Sequence, residues 1–105
     1  MYRIAVARFY YAMYHALRAV VYIEYDGDDH EEHRQLPTKE IKSLPQDAQW
    51  RNKLKSARAY RNQADYDPYP TSDRPWRDVA HALRSDARGL LSVSRAYLTQ
   101  KGCNV

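Results

Sequence analysis

Residues 2–24 contain no Gly and no Pro, and their apolar side chains recur at three- and four-residue steps: Val6, Phe9, Met13, Leu17, Val20. That spacing gathers the five on one face of an α-helix, whereas a half-buried strand would alternate. A second stripe of Arg8, Tyr11, His15, Arg18, Tyr22 and Tyr25 runs beside the first. A helix with one aliphatic and one aromatic–basic stripe packs on two sides. Asp26-Gly27-Asp28 ends it, because Gly and Asp accept turns and left-handed backbone.

Two more segments keep the helical period. Over residues 48–66, Trp50, Leu54, Ala57, Arg61 and Ala64 share a face on which Arg61 is the exception. Asp65-Tyr66-Asp67-Pro68 ends that helix, since the residue before proline is pushed out of the α region. Further on, Trp76, Val79, Ala80, Leu83, Ala87, Leu90, Leu91, Ser94, Tyr97 and Leu98 form a third stripe. Ser72 or Asp73 can cap this helix, with Pro75 in its first turn and Gly102 as its stop. Pro37 and Pro45 bracket Thr38 to Leu44, read as a short helix in the connector.

No segment alternates with period two. The expected fold class is therefore all-α: an antiparallel helical bundle of three long helices plus a short helix in the 26–47 connector. Residues 1–102 are read as a single domain with an acidic loop, 24–32, within it, and residues 103–105 as a tail.

Composition narrows the function. Of 105 residues, 44% are hydrophobic, yet 13 of these are Ala and 10 are Tyr, so the core is thin in aliphatics and a partner chain is expected. One cysteine, Cys103, excludes an internal disulfide framework and a thiolate zinc cluster. No apolar run is long enough for a membrane span and the N-terminus is no signal peptide, so a soluble cytoplasmic protein is the default. The net charge of +4 hides an uneven spread. Glu24, Asp26, Asp28, Asp29, Glu31 and Glu32 cluster with no base among them, while Arg51, Lys53, Lys55, Arg58 and Arg61 cluster with no acid. Arg outnumbers Lys twelve to five, which suits planar contacts with carboxylate or phosphate. The basic run reads either as a solvated helix face or as a surface for nucleic acid or nucleotide.

Candidate chemistry is sparse. His30-Glu31-Glu32-His33 lacks the four-residue spacing of the helical zinc motif, so it reads as an acidic loop rather than a metal site. Three glycines cannot build a phosphate loop. The tyrosine stripe reads first as core or subunit interface and second as a base-stacking platform. Arg61 must find partners or keep its head in water. It is read either as an ion pair with Asp65, one turn on, or as a guanidinium held to meet phosphate.

The run Arg8-Phe9-Tyr10-Tyr11-Ala12-Met13-Tyr14-His15-Ala16-Leu17-Arg18-Ala19-Val20 resembles the signature helix of HEPN domains (higher eukaryotes and prokaryotes nucleotide-binding). Tyr60-Arg61-Asn62-Gln63-Ala64-Asp65-Tyr66-Asp67-Pro68 resembles the later motif helix of their Arg…Ala-Asp-Tyr branch. His30 or His33 fits an intervening histidine. The resemblance implies a helical bundle that commonly dimerises. It implies relatives that are metal-independent ribonucleases, often paired as toxin and antitoxin with a small nucleotidyltransferase.

The resemblance also implies an active site of Arg followed a few residues later by His. Arg61 takes the Arg position and Asn62 the polar one beside it, but the His position falls on Tyr66 or Asp67. A phenol with an ordinary pKa near 10 exchanges protons poorly at neutral pH. The resemblance thus implies an RNA- or nucleotide-binding or regulatory module, with a nuclease or a structural interaction bundle as alternatives. Candidate catalytic residues are Arg61, Asn62 and Tyr66. Candidate nucleic-acid or nucleotide contacts are Arg51, Lys55, Arg58, Arg61 and Asp65. Tyr11, His15, Arg18 and Tyr22 are the candidate homodimer interface. No metal or cofactor is expected. Relatives carry a helix before the Tyr-Tyr helix, so either a helix upstream of Met1 or self-association through the aromatic stripe is expected.

Overall fold

The computed structural model describes residues 1–66 and 73–104. Three long helices carry the fold: α1 (Tyr2–Glu24), α2 (Asp47–Tyr66) and α3 (Arg77–Gln100). Two 3-10 turns, Leu36–Thr38 and Arg74–Trp76, complete it, and no strand occurs among the described residues. No helix among them is long and apolar enough to cross a membrane. α1 and α2 match the expected segments to within a residue at each end, whereas α3 begins at Arg77, after Pro75 and not before it.

α1 is the central element. It packs along both α3 and α2, which touch each other far less. Val6, Met13, Leu17 and Val20 of its aliphatic stripe are fully buried, but Phe9 is only half-buried. Tyr10 takes the missing place with no exposed surface, and Tyr14 is buried one turn on. Two rings of the tyrosine-rich helix are therefore core. α2 contributes Trp50, Leu54, Ala57 and Ala64, and α3 contributes Ala80, Leu83, Ala87, Leu90, Tyr97 and Leu98. Leu91, expected on the α3 stripe, faces solvent.

The small residues let bulky ones fit. Gly89 of α3 lies against the ring of Trp50 on α2, where a Cβ would come within 2.7 Å of ring carbon Cη2. At the other end, the Tyr97 hydroxyl donates to Glu24 Oε1 at 2.8 Å, tying α3 to the last turn of α1. Burial and that carboxylate push the Tyr97 phenol up to about 12. α1 ends with Asp26 at φ 54° and Gly27 at φ 98°, and the Gly27 N–H donates back to the Tyr22 carbonyl at 2.7 Å. Gly102, at φ 87°, closes α3 in the same way: the Cys103 N–H reaches the Leu98 carbonyl at 2.9 Å.

Three expectations about the segments between the long helices need correction. The short helix over Thr38 to Leu44 does not form. The connector makes a 3-10 turn at Leu36–Thr38 and then extends at Lys39. Leu36, Ile41 and Leu44 are buried in the core, and their burial shapes this stretch more than helical bonding does. Asp73 does not use its side chain to cap α3. Its carboxylate accepts the N–H groups of Tyr2 and Arg3, the latter at 2.9 Å, and so caps α1 across the fold. Proximity in sequence pointed to the wrong helix. Pro75 lies in the 3-10 turn before α3 rather than inside its first turn, and Ser72 falls outside the described residues.

Candidate functional site

On α1, Tyr10, Tyr14 and Arg18 stand at successive four-residue steps, with Tyr11 and His15 beside them. This face would be an ordinary aromatic ridge but for the connector that folds back over it. Positive φ at Asp26, Gly27 and His30 turns the chain at the end of α1. Arg18 then holds the returning strand of loop, through Asp29 Oδ2 at 2.6 Å and Glu31 Oε2 at 3.3 Å. The Tyr14 hydroxyl donates to the Glu31 carbonyl. Two residues further on, His33 is laid on the ridge.

The His33 ring stacks on Tyr14 with centroids 3.9 Å apart and planes 4° from parallel. Its Nδ1 shares a hydrogen bond with the Tyr10 hydroxyl, and Tyr11 meets the ring edge-on at 5.7 Å. With Nδ1 engaged, Nε2 makes no hydrogen bond among the described residues. Burial lowers the His33 pKa, and Arg58, Arg61, His15 and Arg18 lower it further, so the imidazole is neutral at neutral pH. Burial pushes the Tyr10 phenol up to about 12 despite Arg58 and Arg61, so it stays protonated.

α2 supplies the cations. The Arg61 guanidinium lies 5.1 Å from the Tyr11 ring centre and 6.0 Å from that of Tyr10. Its Nε is 3.0 Å from Asp65 Oδ2, which confirms the expected ion pair one turn on. The N–H is not aimed at that oxygen and makes no hydrogen bond among the described residues, so the pair is loose. Arg58, one turn earlier, is half-buried and acts electrostatically on both Tyr10 and His33. Among the described residues it has no carboxylate partner. Arg18, Arg51, Lys53 and Arg61 each have one.

The expected site residues therefore divide. Arg58 and Arg61 face the aromatic ridge together. Arg51 is bound to Asp47 at 3.1 Å, and Lys55 is exposed. Asn62 is half-buried beside Arg61, whereas Tyr66 is 81% exposed at the end of α2, and Asp67 lies outside the described residues. Of the expected interface residues, His15 and Tyr22 are exposed, while Tyr11 and Arg18 are half-buried under Arg61 and the acidic loop. The two histidines of the acidic loop diverge: His30 faces Tyr25 and Asp28, and His33 faces the ridge. No group of three candidate metal ligands gathers among the described residues.

Periodicity missed Tyr10 and Tyr14 as site residues, and resemblance left His33 as one of two possibilities. The available signal was the proximity in sequence of the tyrosines, Arg18 and the acids that pair with it. A family model for the HEPN domain matches residues 1–97. No curated protein and no solved structure matches the chain.

Proposed function

We propose that this chain, which belongs to the HEPN domain family, binds RNA or a nucleotide through phosphate at the ridge between α1 and α2. One observation carries the reading. Arg58 is a half-buried residue with no anion among the described residues, and its charge acts on Tyr10 and His33 together with that of Arg61, which is held over Tyr11. Two guanidinium groups three residues apart on one helix face repel each other, and an anionic ligand between them offsets that repulsion. Arg61 and the flat rings of Tyr11 and His33 add planar surface on which a base can stack. Binding of a single-stranded oligoribonucleotide should weaken as salt rises, and Arg58→Ala should make that dependence shallower. Lack of binding at low salt would refute the reading.

A second reading, metal-independent cleavage of RNA, is favoured by the position of His33. An imidazole lies close enough to Arg58 and Arg61 for their charges to lower its pKa, although no histidine stands a few residues after Arg61 in sequence. In such a reaction His33 accepts the proton of a 2′-hydroxyl, the 2′ oxygen bonds to phosphorus, and the bond to the 5′ oxygen breaks as that oxygen takes a proton from solvent water. The arginines stabilise the charge on phosphorus. Cutting in the presence of EDTA that is lost in both Arg61→Ala and His33→Gln would support it; intact RNA with wild-type protein would exclude it.

We further infer a homodimer through the flank of α1 that carries His15 and Tyr22, both exposed. Family resemblance makes a nucleotidyltransferase the proposed partner in a toxin–antitoxin pair. Sedimentation at micromolar concentration tests the dimer, and co-purification with the product of a neighbouring nucleotidyltransferase gene tests the pair.

A further inference from the structure

We propose that His33 is a proton-linked third cation of a phosphate subsite shared with Arg58 and Arg61. The inference rests on the phosphate-binding reading above and specifies how that site responds to pH. Its foundation is geometric. The ring is fixed by the Tyr14 stack and by the bond between Nδ1 and the Tyr10 hydroxyl, so its position does not depend on a ligand. Nε2 has no bonded partner among the described residues.

The charged surroundings decide the rest. From α1, His33 faces Tyr10, Tyr11, Tyr14, His15 and Arg18; from α2 it faces Arg58 and Arg61. On its own connector the nearest acids, Asp29 and Glu31, are committed to Arg18, and Glu32 lies 4.0 Å from Arg34. No carboxylate bonds to His33 among the described residues. Burial and, after it, the neighbouring cations oppose its protonation in the free protein. With Nδ1–H donating to the Tyr10 oxygen, the neutral ring keeps its lone pair on Nε2; a phosphate seated against Arg58 and Arg61 favours adding a proton there, because its oxygens accept that N–H and its charge offsets the repulsion from the arginines. Binding then draws a proton onto His33, and by linkage a lower pH favours binding.

Because both phosphodiesters and terminal phosphates present the same oxygens, two probes separate them. One is a 2′-O-methyl oligouridylate with a 5′-hydroxyl and a pH-insensitive dye, which offers only diesters and cannot be cut. The other is adenosine 5′-monophosphate. Affinities are measured between pH 8 and pH 5.5 at constant ionic strength. Wild-type affinity for at least one probe should rise about tenfold as pH falls, the equivalent of one pKa unit. The probe that shows the rise identifies the source of the phosphate. His33→Gln should abolish the rise while substitution of the exposed α3 histidine, His81→Gln, preserves it.

Nuclear magnetic resonance of the wild-type imidazole removes any dependence on the folding of variants: the His33 pKa should move up when the bound probe is added. A flat wild-type profile, a rise that survives in His33→Gln, or an unmoved His33 pKa in a saturated complex overturns the proposal. Absence of binding at every pH overturns the phosphate-binding reading and this one with it.

Discussion

The imidazole of His33 lies flat on the phenol ring of Tyr14, 3.9 Å between centroids, in a fold where the two residues come from a loop and a helix. The pairing holds a weakly basic group against two guanidinium groups, and it makes stability depend on acid. The His33 pKa is lowered in the folded chain, chiefly by burial. Below the ordinary histidine value of about 6.5, the unfolded chain therefore binds this proton more readily than the folded one. The contribution of His33 is fully present above that pH and is lost as pH falls through the folded pKa. Urea unfolding at pH 7.5 and pH 5.5 should show lower stability in acid, with a smaller difference in His33→Gln. An equal difference in the variant would contradict this.

Arg58 and Arg61 should separate binding from stability. Arg58 has no ion pair to lose among the described residues, so Arg58→Ala should leave the melting temperature unchanged or slightly raised. Its loss of affinity should be tenfold or more, in line with a charge-assisted hydrogen bond of about 1.5–3 kcal/mol. Arg61→Ala should lose affinity and also roughly 0.5–1 kcal/mol of stability, through its contact with Tyr11. Parallel melts and salt-dependent binding curves check both.

Gly89→Ala should destabilise the protein, although alanine favours helix by about 1 kcal/mol over glycine. The new Cβ would meet the Trp50 ring at 2.7 Å, and that ring is itself buried. Overpacking of this kind costs roughly 1–3 kcal/mol. Trp50→Phe in the Gly89→Ala background should recover part of the loss. If Gly89→Ala alone were stabilising, the helices would not be pinned at this point.

Tyr97→Phe removes the hydroxyl that meets Glu24 at 2.8 Å and leaves the ring. A loss of about 1 kcal/mol is expected, typical of one buried hydrogen bond. Chemical denaturation of Tyr97→Phe, Glu24→Gln and the double variant should show coupling between the two positions. Fully additive effects would mean that the bond contributes nothing.

The helices were legible because their information is local. Val6, Met13, Leu17 and Val20 mark a buried face by spacing alone, and Trp50, Leu54, Ala57 and Ala64 do the same for α2. Arg61 was also legible, since a charge on an apolar stripe is conspicuous, and its pairing with Asp65 is a matter of one helical turn. The placement of His33 was not. It follows from left-handed backbone at Asp26 and His30, residues whose type permits but does not demand it, and from the grip of Arg18 on two acids among six. Asp73 was misassigned for a similar reason: a capping residue advertises an affinity for helix starts without saying which helix.

That carboxylate has a kinetic consequence. Asp73 meets the amide of Arg3 across 70 residues of chain, and the Arg3 side chain reaches the Ala64 carbonyl across 61. The contacts of Tyr14 and Arg18 with Glu31 and Asp29 span only 11 to 17 residues. Closing a longer loop costs more chain entropy before any contact repays it. The middle of α1 and the loop that lies on it thus form a unit able to assemble early, while the first turn of α1 is completed only when both flanking helices have arrived.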